Sequence, residues 1–191
     1  MRFLGRADYR VMPWKNGGGT TTELMIWPEG SSLADGFDWR VSMADVAASG
    51  PFSRFPGYDR HLMMIEGRGM TLDGVPEGPM TLATPCESVP FSGDWDVSGT
   101  LIEGPIRDFN LMLRRRDFDG QLACEALTDA RAFAAGAGRI FVTILAGSIF
   151  CGHRAMATTE SVLIEAGEQP ELAPVSTGPA CVAVCRIHPR S

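Results

Sequence analysis

The 191-residue chain carries 17 basic and 23 acidic side chains, for a formal charge of −6. That balance removes the broad basic face that general nucleic-acid binding needs. No apolar run approaches the ~18 residues of a membrane-spanning helix, and the opening MRFLGRADYR has no apolar core of a signal peptide. Five cysteines at scattered positions (Cys86, Cys124, Cys151, Cys181 and Cys185) predict a reduced, cytoplasmic chain with thiols packed in the core.

Taken in chain order, the pattern is almost entirely that of strands. Short runs rich in β-branched and aromatic residues are separated by Gly, Pro and Asp. They predict strands near 21–27, 37–46, 58–66, 69–75, 79–83, 97–103 and 108–115. Further strands are expected near 121–127, 139–146, 147–151, 161–165 and 180–187. Asp73-Gly74 is a hairpin signal. One helical turn is predicted at 128–136, TDARAFAAG, with Thr128 or Asp129 as its cap and Gly136 as its stop. The layout of 60–72, RHLMMIEGRGMTL, returns in 139–150, RIFVTILAGSIF, as apolar strand, tight turn and apolar strand. Two similar antiparallel units follow: 1–116 and 117–191, each a small barrel or sandwich.

Period-two alternation says where side chains point. In FDWRVSMADV, Arg40 and Ser42 share the face opposite Trp39 and Val41. In DFNLML, Asp108 and Asn110 oppose Phe109 and Leu111. In YDRHLMMIE, Tyr58 and Arg60 share a face with Leu62 and Met64. Beyond His61 this strand is apolar on both sides, so Arg60 is expected to be buried. A buried guanidinium must meet either an internal carboxylate, such as Asp108 or Glu66, or a bound anion. The model that results is a barrel lumen with a few convergent polar groups among apolar walls, which suits a small molecule. The loop Trp14-Lys15-Asn16-Gly17-Gly18-Gly19 is placed at its rim, where the glycines free the backbone and their N–H groups face an anion.

The strings PWKNGGGTTTE, FDWRVSMADV, GPFSRFPGYDR, IEGRGMTL and GPIRDFNLMLRR, in that order, resemble the HutD/Ves family over residues 10–116; residues 117–191 match it in layout only. The resemblance implies an all-β, cupin-like antiparallel barrel of the bicupin type with few short helices. It implies a protein of histidine utilisation that binds a small carboxylate such as urocanate, formate or N-formylglutamate and restrains pathway flux. The family's signature falls on Trp14, Lys15, Asn16, Gly17, Gly18, Gly19, Thr20 and Glu23, then on Arg40, Ser42, Phe55, Asp59, Arg60, Glu66, Asp108 and Asn110, among others.

The expected ligand-contacting set is Trp14, Lys15, Asn16, Gly18, Thr20, Arg40, Ser42, Phe55, Tyr58, Arg60, Asp108 and Asn110. Arg60, Arg40 or Lys15 would hold the carboxylate; Asn16, Ser42 and Asn110 would orient it; Trp14, Phe55 and Tyr58 would pack on a flat ligand. The three histidines (His61, His153 and His188) form no His-x-His pair, so no metal, cofactor or catalytic residue is assigned. The alternative is a metal-free isomerase or lyase using Tyr58, Asp108 or Glu66 on a small organic acid. A homodimer through an exposed strand edge such as 180–187 is a third expectation.

Overall fold

The computed structural model describes residues 1–190 and is built almost wholly of antiparallel strands, with a single 3-10 turn at Arg6–Asp8. Among the described residues no helix is long and apolar enough to cross a membrane. The chain divides into two compact units. One comprises residues 10–119; the other comprises residues 1–9 together with those from 120 onward. The sequence reading began its first unit at residue 1, but the strand Arg2–Leu4 pairs with Ser161–Ile164.

In the unit of residues 10–119, six strands form one sheet in the order Arg10–Pro13, Gly19–Trp27, Trp39–Val46, Ile106–Arg114, Tyr58–Glu66 and Ser88–Ser92. A second sheet holds Gly50–Pro51, Ser98–Leu101, Met70–Asp73 and Met80–Leu82. The central strands of the larger sheet are long and largely buried on both faces, and one face of each gathers toward the second sheet. Ala44, Val46, Leu62 and Met64 from the first sheet pack with Met70, Leu72 and Leu82 from the second. The edge strand Ser88–Ser92 carries Pro90, which lacks a ladder donor and is tolerated at a sheet edge. Its sequence, SVPFS, reads poorly as a strand for the same reason.

The other unit repeats the arrangement. Five strands lie in the order Arg2–Leu4, Ser161–Ile164, Arg139–Ala146, Ala180–Pro189 and Phe118–Leu127. Four more lie in the order Arg131–Ala132, Glu171–Pro174, Ser148–Cys151 and Arg154–Ala157. Its core is apolar: Ile140, Val142, Ile144, Val162, Ile164, Val182 and Val184 meet Ile149, Met156 and Leu172. Cys151 and Cys185 are buried free thiols, and burial raises both thiol pKa values.

The helical turn expected at 128–136 does not form. Arg131–Ala132 is a short strand paired with Leu172 and Glu171, and the amides of Phe133 and Ala135 donate to Pro170 and Glu168 carbonyls. Phe133 and Ala135 are both buried, a period of two rather than 3.6. Thr128 donates its hydroxyl to Asp129 instead of capping a helix.

Candidate functional site

The three central strands of the 10–119 unit bring the polar residues into rows on one face. Arg40, Met112 and Arg60 lie side by side; Ser42, Asn110 and Leu62 form the next row; Ala44, Asp108 and Met64 form the third. From these rows Arg40, Ser42, Ala44, Arg60, Asp108, Asn110 and Met112 line a cavity of about 780 Å³ whose walls also include Trp14, Phe52, Phe55 and Met70. Arg40, Ser42, Arg60, Asp108 and Asn110 are all buried, at 6, 4, 6, 3 and 5 % exposure. Five polar side chains on one buried face demand partners, and the partners are unequal.

Arg40 is satisfied internally. Its Nε donates to Glu23 Oε2 at 2.7 Å, and its Nη1 reaches Ser42 Oγ at 3.4 Å. Glu23 lies opposite Ser42 on the neighbouring strand, just before a bulge in the pairing with Trp39–Val46. This ion pair is almost fully buried, so it neutralises one guanidinium within the wall.

Arg60 is different. Its Nη1 donates to the Ser53 carbonyl at 3.2 Å, while its Nε is buried with no partner. The guanidinium sits within 4.8 Å of the Phe91 ring centre, 5.1 Å of Phe52 and 5.7 Å of Phe55. Three ring faces stabilise a cation without discharging it. Desolvation lowers the Arg60 pKa to about 10, with Arg40 pushing the same way and Asp108 opposing, so the group stays charged at neutral pH. Burial raises the Asp108 carboxyl to about 7, against the attraction of Arg60. The cavity therefore holds one cation whose charge is only partly met. Asn110 Oδ1 is a second buried polar atom without a partner.

The glycine loop forms the rim, and its chemistry is mainly structural. Asn16 Oδ1 accepts the Gly18 N–H at 3.0 Å, and the Trp14 carbonyl accepts the Gly17 N–H at 3.0 Å. Two of the amides expected to face an anion are thus already used, which corrects the anion-nest reading of Gly18, although Gly18 still lines the cavity. Gly17 has φ of +72°, and a Cβ on Gly19 would lie 2.5 Å from the Asp45 carbonyl and 3.0 Å from the Trp14 ring. The triglycine lets Trp14 lie flat on the chain, with its Nε1 donating to Thr21 Oγ1 at 2.8 Å. Lys15 is exposed and lines the mouth.

Ten of the twelve expected residues line the cavity: Trp14, Lys15, Asn16, Gly18, Arg40, Ser42, Phe55, Arg60, Asp108 and Asn110. Thr20 and Tyr58 do not. Thr21 takes the place expected of Thr20, because Thr21 lies opposite Ala44, on the inward phase. The Tyr58 hydroxyl donates to the Phe37 carbonyl at 2.7 Å and accepts the Phe37 N–H at 3.0 Å, so it fixes a backbone turn. Phe52, Ser53 and Met112 are lining residues that sequence reasoning did not assign to the site. Among the described residues the lining offers one carboxylate and no histidine or cysteine, a donor set suited to an organic anion rather than a transition metal.

A family model described as HutD matches residues 6–182. The chain belongs to the HutD family. It is 44% identical over 124 residues to an uncharacterized 21.2 kDa protein of the hutC 3′ region of Pseudomonas putida, covering 64% of this chain and 63% of that protein. It is 39% identical over 112 residues to protein Ves of Citrobacter koseri, covering 56% of each. These matches span less than two thirds of the relatives' own length. Among solved structures, HutD from Pseudomonas fluorescens SBW25, determined in a formate condition, shares 30% identity with a TM-score of 0.81, over 100% of this chain and 99% of that one. A conserved protein of unknown function from Pseudomonas aeruginosa PAO1 shares 33% identity with a TM-score of 0.85, over 97% of each chain. A cupin 2 barrel protein from Leptotrichia buccalis, 9% identical with a TM-score of 0.59 over 98% of this chain and 96% of that one, shares the fold. The fold of this HutD-family chain is an all-β cupin fold.

Proposed function

We propose that the cavity of the 10–119 unit binds a small organic carboxylate and that the protein acts through this binding as a regulator of histidine utilisation. The observation that carries the reading is Arg60: a buried cation on the cavity wall, ringed by three aromatic faces, with an unpartnered Nε. A carboxylate supplies two acceptors in the plane of a guanidinium, a pairing that a neutral ligand does not match. Arg40 is held by Glu23 and contributes shape more than charge, and Lys15 draws anions toward the mouth. The candidate ligands are urocanate, formate and acids of the N-formylglutamate class. The solved relative from Pseudomonas fluorescens was determined in a formate condition, which is in keeping with this reading.

Calorimetric titration with formate and with urocanate, on the wild type and on Arg60→Ala, tests it. A charge-assisted bond of about 1.5–3 kcal/mol corresponds to a loss of roughly 10- to 150-fold in affinity on truncation. Equal binding by both proteins removes Arg60 from the role. A second reading, a metal-free enzyme, is favoured by one observation: burial places the Asp108 carboxyl at about 7, where it can both take and give a proton. Proton NMR of candidate acids incubated with the protein separates the two, since a binder leaves their spectra unchanged over hours.

A further inference from the structure

We propose that a carboxylate held by Arg60 and an ionised Asp108 exclude one another, so that a ligand enters the cavity together with one proton, which Asp108 takes up. The inference rests on the carboxylate reading of Arg60 and adds to it a link between binding and pH. Among the described residues, the charged side chains that line the cavity are Lys15, Arg40, Arg60 and Asp108. Lys15 is exposed at the mouth, and Arg40 is neutralised by Glu23 within the wall. The interior is left with one cation, Arg60, and one acid, Asp108. A second anion in the same buried space has no cation of its own.

The surroundings of Asp108 leave its charge to Arg60. Its lateral neighbours on the inward face are Ala44 and Met64, whose side chains cannot donate a hydrogen bond. The second sheet presents Met70 and Gly99 to the cavity, and neither titrates. No hydrogen bond from a described residue supports the carboxylate; Arg60 favours its charged form, while burial and the charge of Asp45 disfavour it. Asp45 and Glu66 are exposed near strand ends, and Arg107 holds both. The Asp108 oxygens are not among the wholly enclosed polar atoms without a partner, so they open onto the cavity that the residue lines. An anionic ligand that takes the Arg60 guanidinium removes the one group that favours ionised Asp108 and adds a repulsion of its own, so the proton returns to the carboxyl. Asp108 titrates at about 7, which sets where the link operates. Below that pH the acid is already neutral; above it each ligand has to bring a proton from solvent.

Formate is the probe, because it stays ionised from pH 6 to pH 8.5 and carries no group that titrates between them. Calorimetric titrations of the wild type and Asp108→Asn are run at both pH values, each in two buffers of different ionisation enthalpy, with circular dichroism checking the fold. Affinity and the number of protons taken up are read separately. A group that titrates at about 7 and must be neutral for binding weakens the complex at most tenfold per pH unit above that value, or ~30-fold over this interval. The wild type is expected to weaken about tenfold or more and to take up more than about half a proton per formate at pH 8.5. Asparagine is an uncharged mimic of the protonated acid, so the variant's affinity should change less than about twofold and its proton uptake should vanish. His61, whose pKa burial lowers, and the other titrating groups are common to both proteins and cancel in the difference. Asp108→Ala is read in the same way if the asparagine variant does not fold, and the proton count on the wild type needs no variant. A wild type that binds formate with a smaller fall in affinity or without proton uptake, or a variant that keeps the wild-type uptake, overturns the inference and leaves the carboxylate reading standing. A folded wild type that binds no formate at either pH overturns both.

Discussion

Replacing Asp108 by asparagine should make the protein more stable at alkaline pH, by an amount the structure bounds. Asp108 is 3 % exposed and faces the cavity. Burial raises its carboxyl from 3.8 to about 7, so the folded protein keeps a proton that the unfolded chain gives up. Stability from this group is therefore complete below pH ~4 and is lost as pH rises to about 7, with no further loss above. At 1.36 kcal/mol per unit, a rise of about 3 units sets a ceiling of ~4 kcal/mol on the loss. Between pH 5 and pH 8 the wild type should lose about 3 kcal/mol through this residue, whereas Asp108→Asn has no proton to lose. Groups common to both proteins cancel in the difference. They include His61, whose burial-lowered pKa tilts stability the opposite way. Loss of the Asp108 charge also takes away the carboxylate attraction that opposes desolvation of Arg60, which trims the gain at pH 8. The assay is urea unfolding of both proteins at pH 5 and pH 8, compared at equal m. A wild type and variant that lose the same stability over that interval, within about 0.5 kcal/mol, would refute the account of Asp108 as a buried neutral acid.

Three further outcomes follow from single contacts. Glu23→Gln leaves the Arg40 guanidinium buried without its counter-charge and should cost about 3–5 kcal/mol in thermal or chemical unfolding, whereas the double change Glu23→Leu with Arg40→Met should come back close to wild type. Tyr58→Phe strands the Phe37 backbone N–H and C=O and should cost about 1–3 kcal/mol of stability, yet leave formate affinity within twofold; a large loss of affinity would return Tyr58 to the binding site. Gly19→Ala places a methyl 2.5 Å from the Asp45 carbonyl and against the Trp14 ring, so a lower melting temperature and a weaker ligand site should appear together.

The residues that the sequence placed on the inward face, and that line the cavity, are those whose position follows from alternation along a long strand. Arg40 with Ser42, and Asp108 with Asn110, lie two apart on strands whose other face is apolar, so their phase was fixed by Trp39, Val41, Phe109 and Leu111. Arg60 followed from the same rule. Thr20 was assigned where Thr21 stands because TTT offers no apolar partner to set a phase, and the bulge just after Glu23 breaks the count from the apolar end of the strand. Tyr58 begins its strand, and its ring reaches Phe37, a contact across 21 residues that no periodicity encodes. The aromatic cage was illegible for a related reason. Phe52 lies in a loop and Phe91 in a proline-bearing edge strand, and the two converge on Arg60 only through the sheet order. The Glu23–Arg40 pair likewise depends on strand register, although both residues stood in the family signature.

The two units offer an internal control on what the polar cavity means. Each is made of two antiparallel sheets, and the unit of residues 1–9 and 120 onward closes its interior with Ile, Val, Leu and Met. Folding of such a sandwich therefore does not require charge between its sheets. In the 10–119 unit the same kind of face carries two arginines, an aspartate, an asparagine and a serine, all nearly inaccessible. One arginine has a carboxylate partner; Arg60 Nε and Asn110 Oδ1 have none. Each such vacancy costs about 1–3 kcal/mol in a domain whose net stability is of order 10 kcal/mol. An arrangement that weakens the fold, beside a cavity large enough for a small acid, is what the proposed carboxylate binding accounts for.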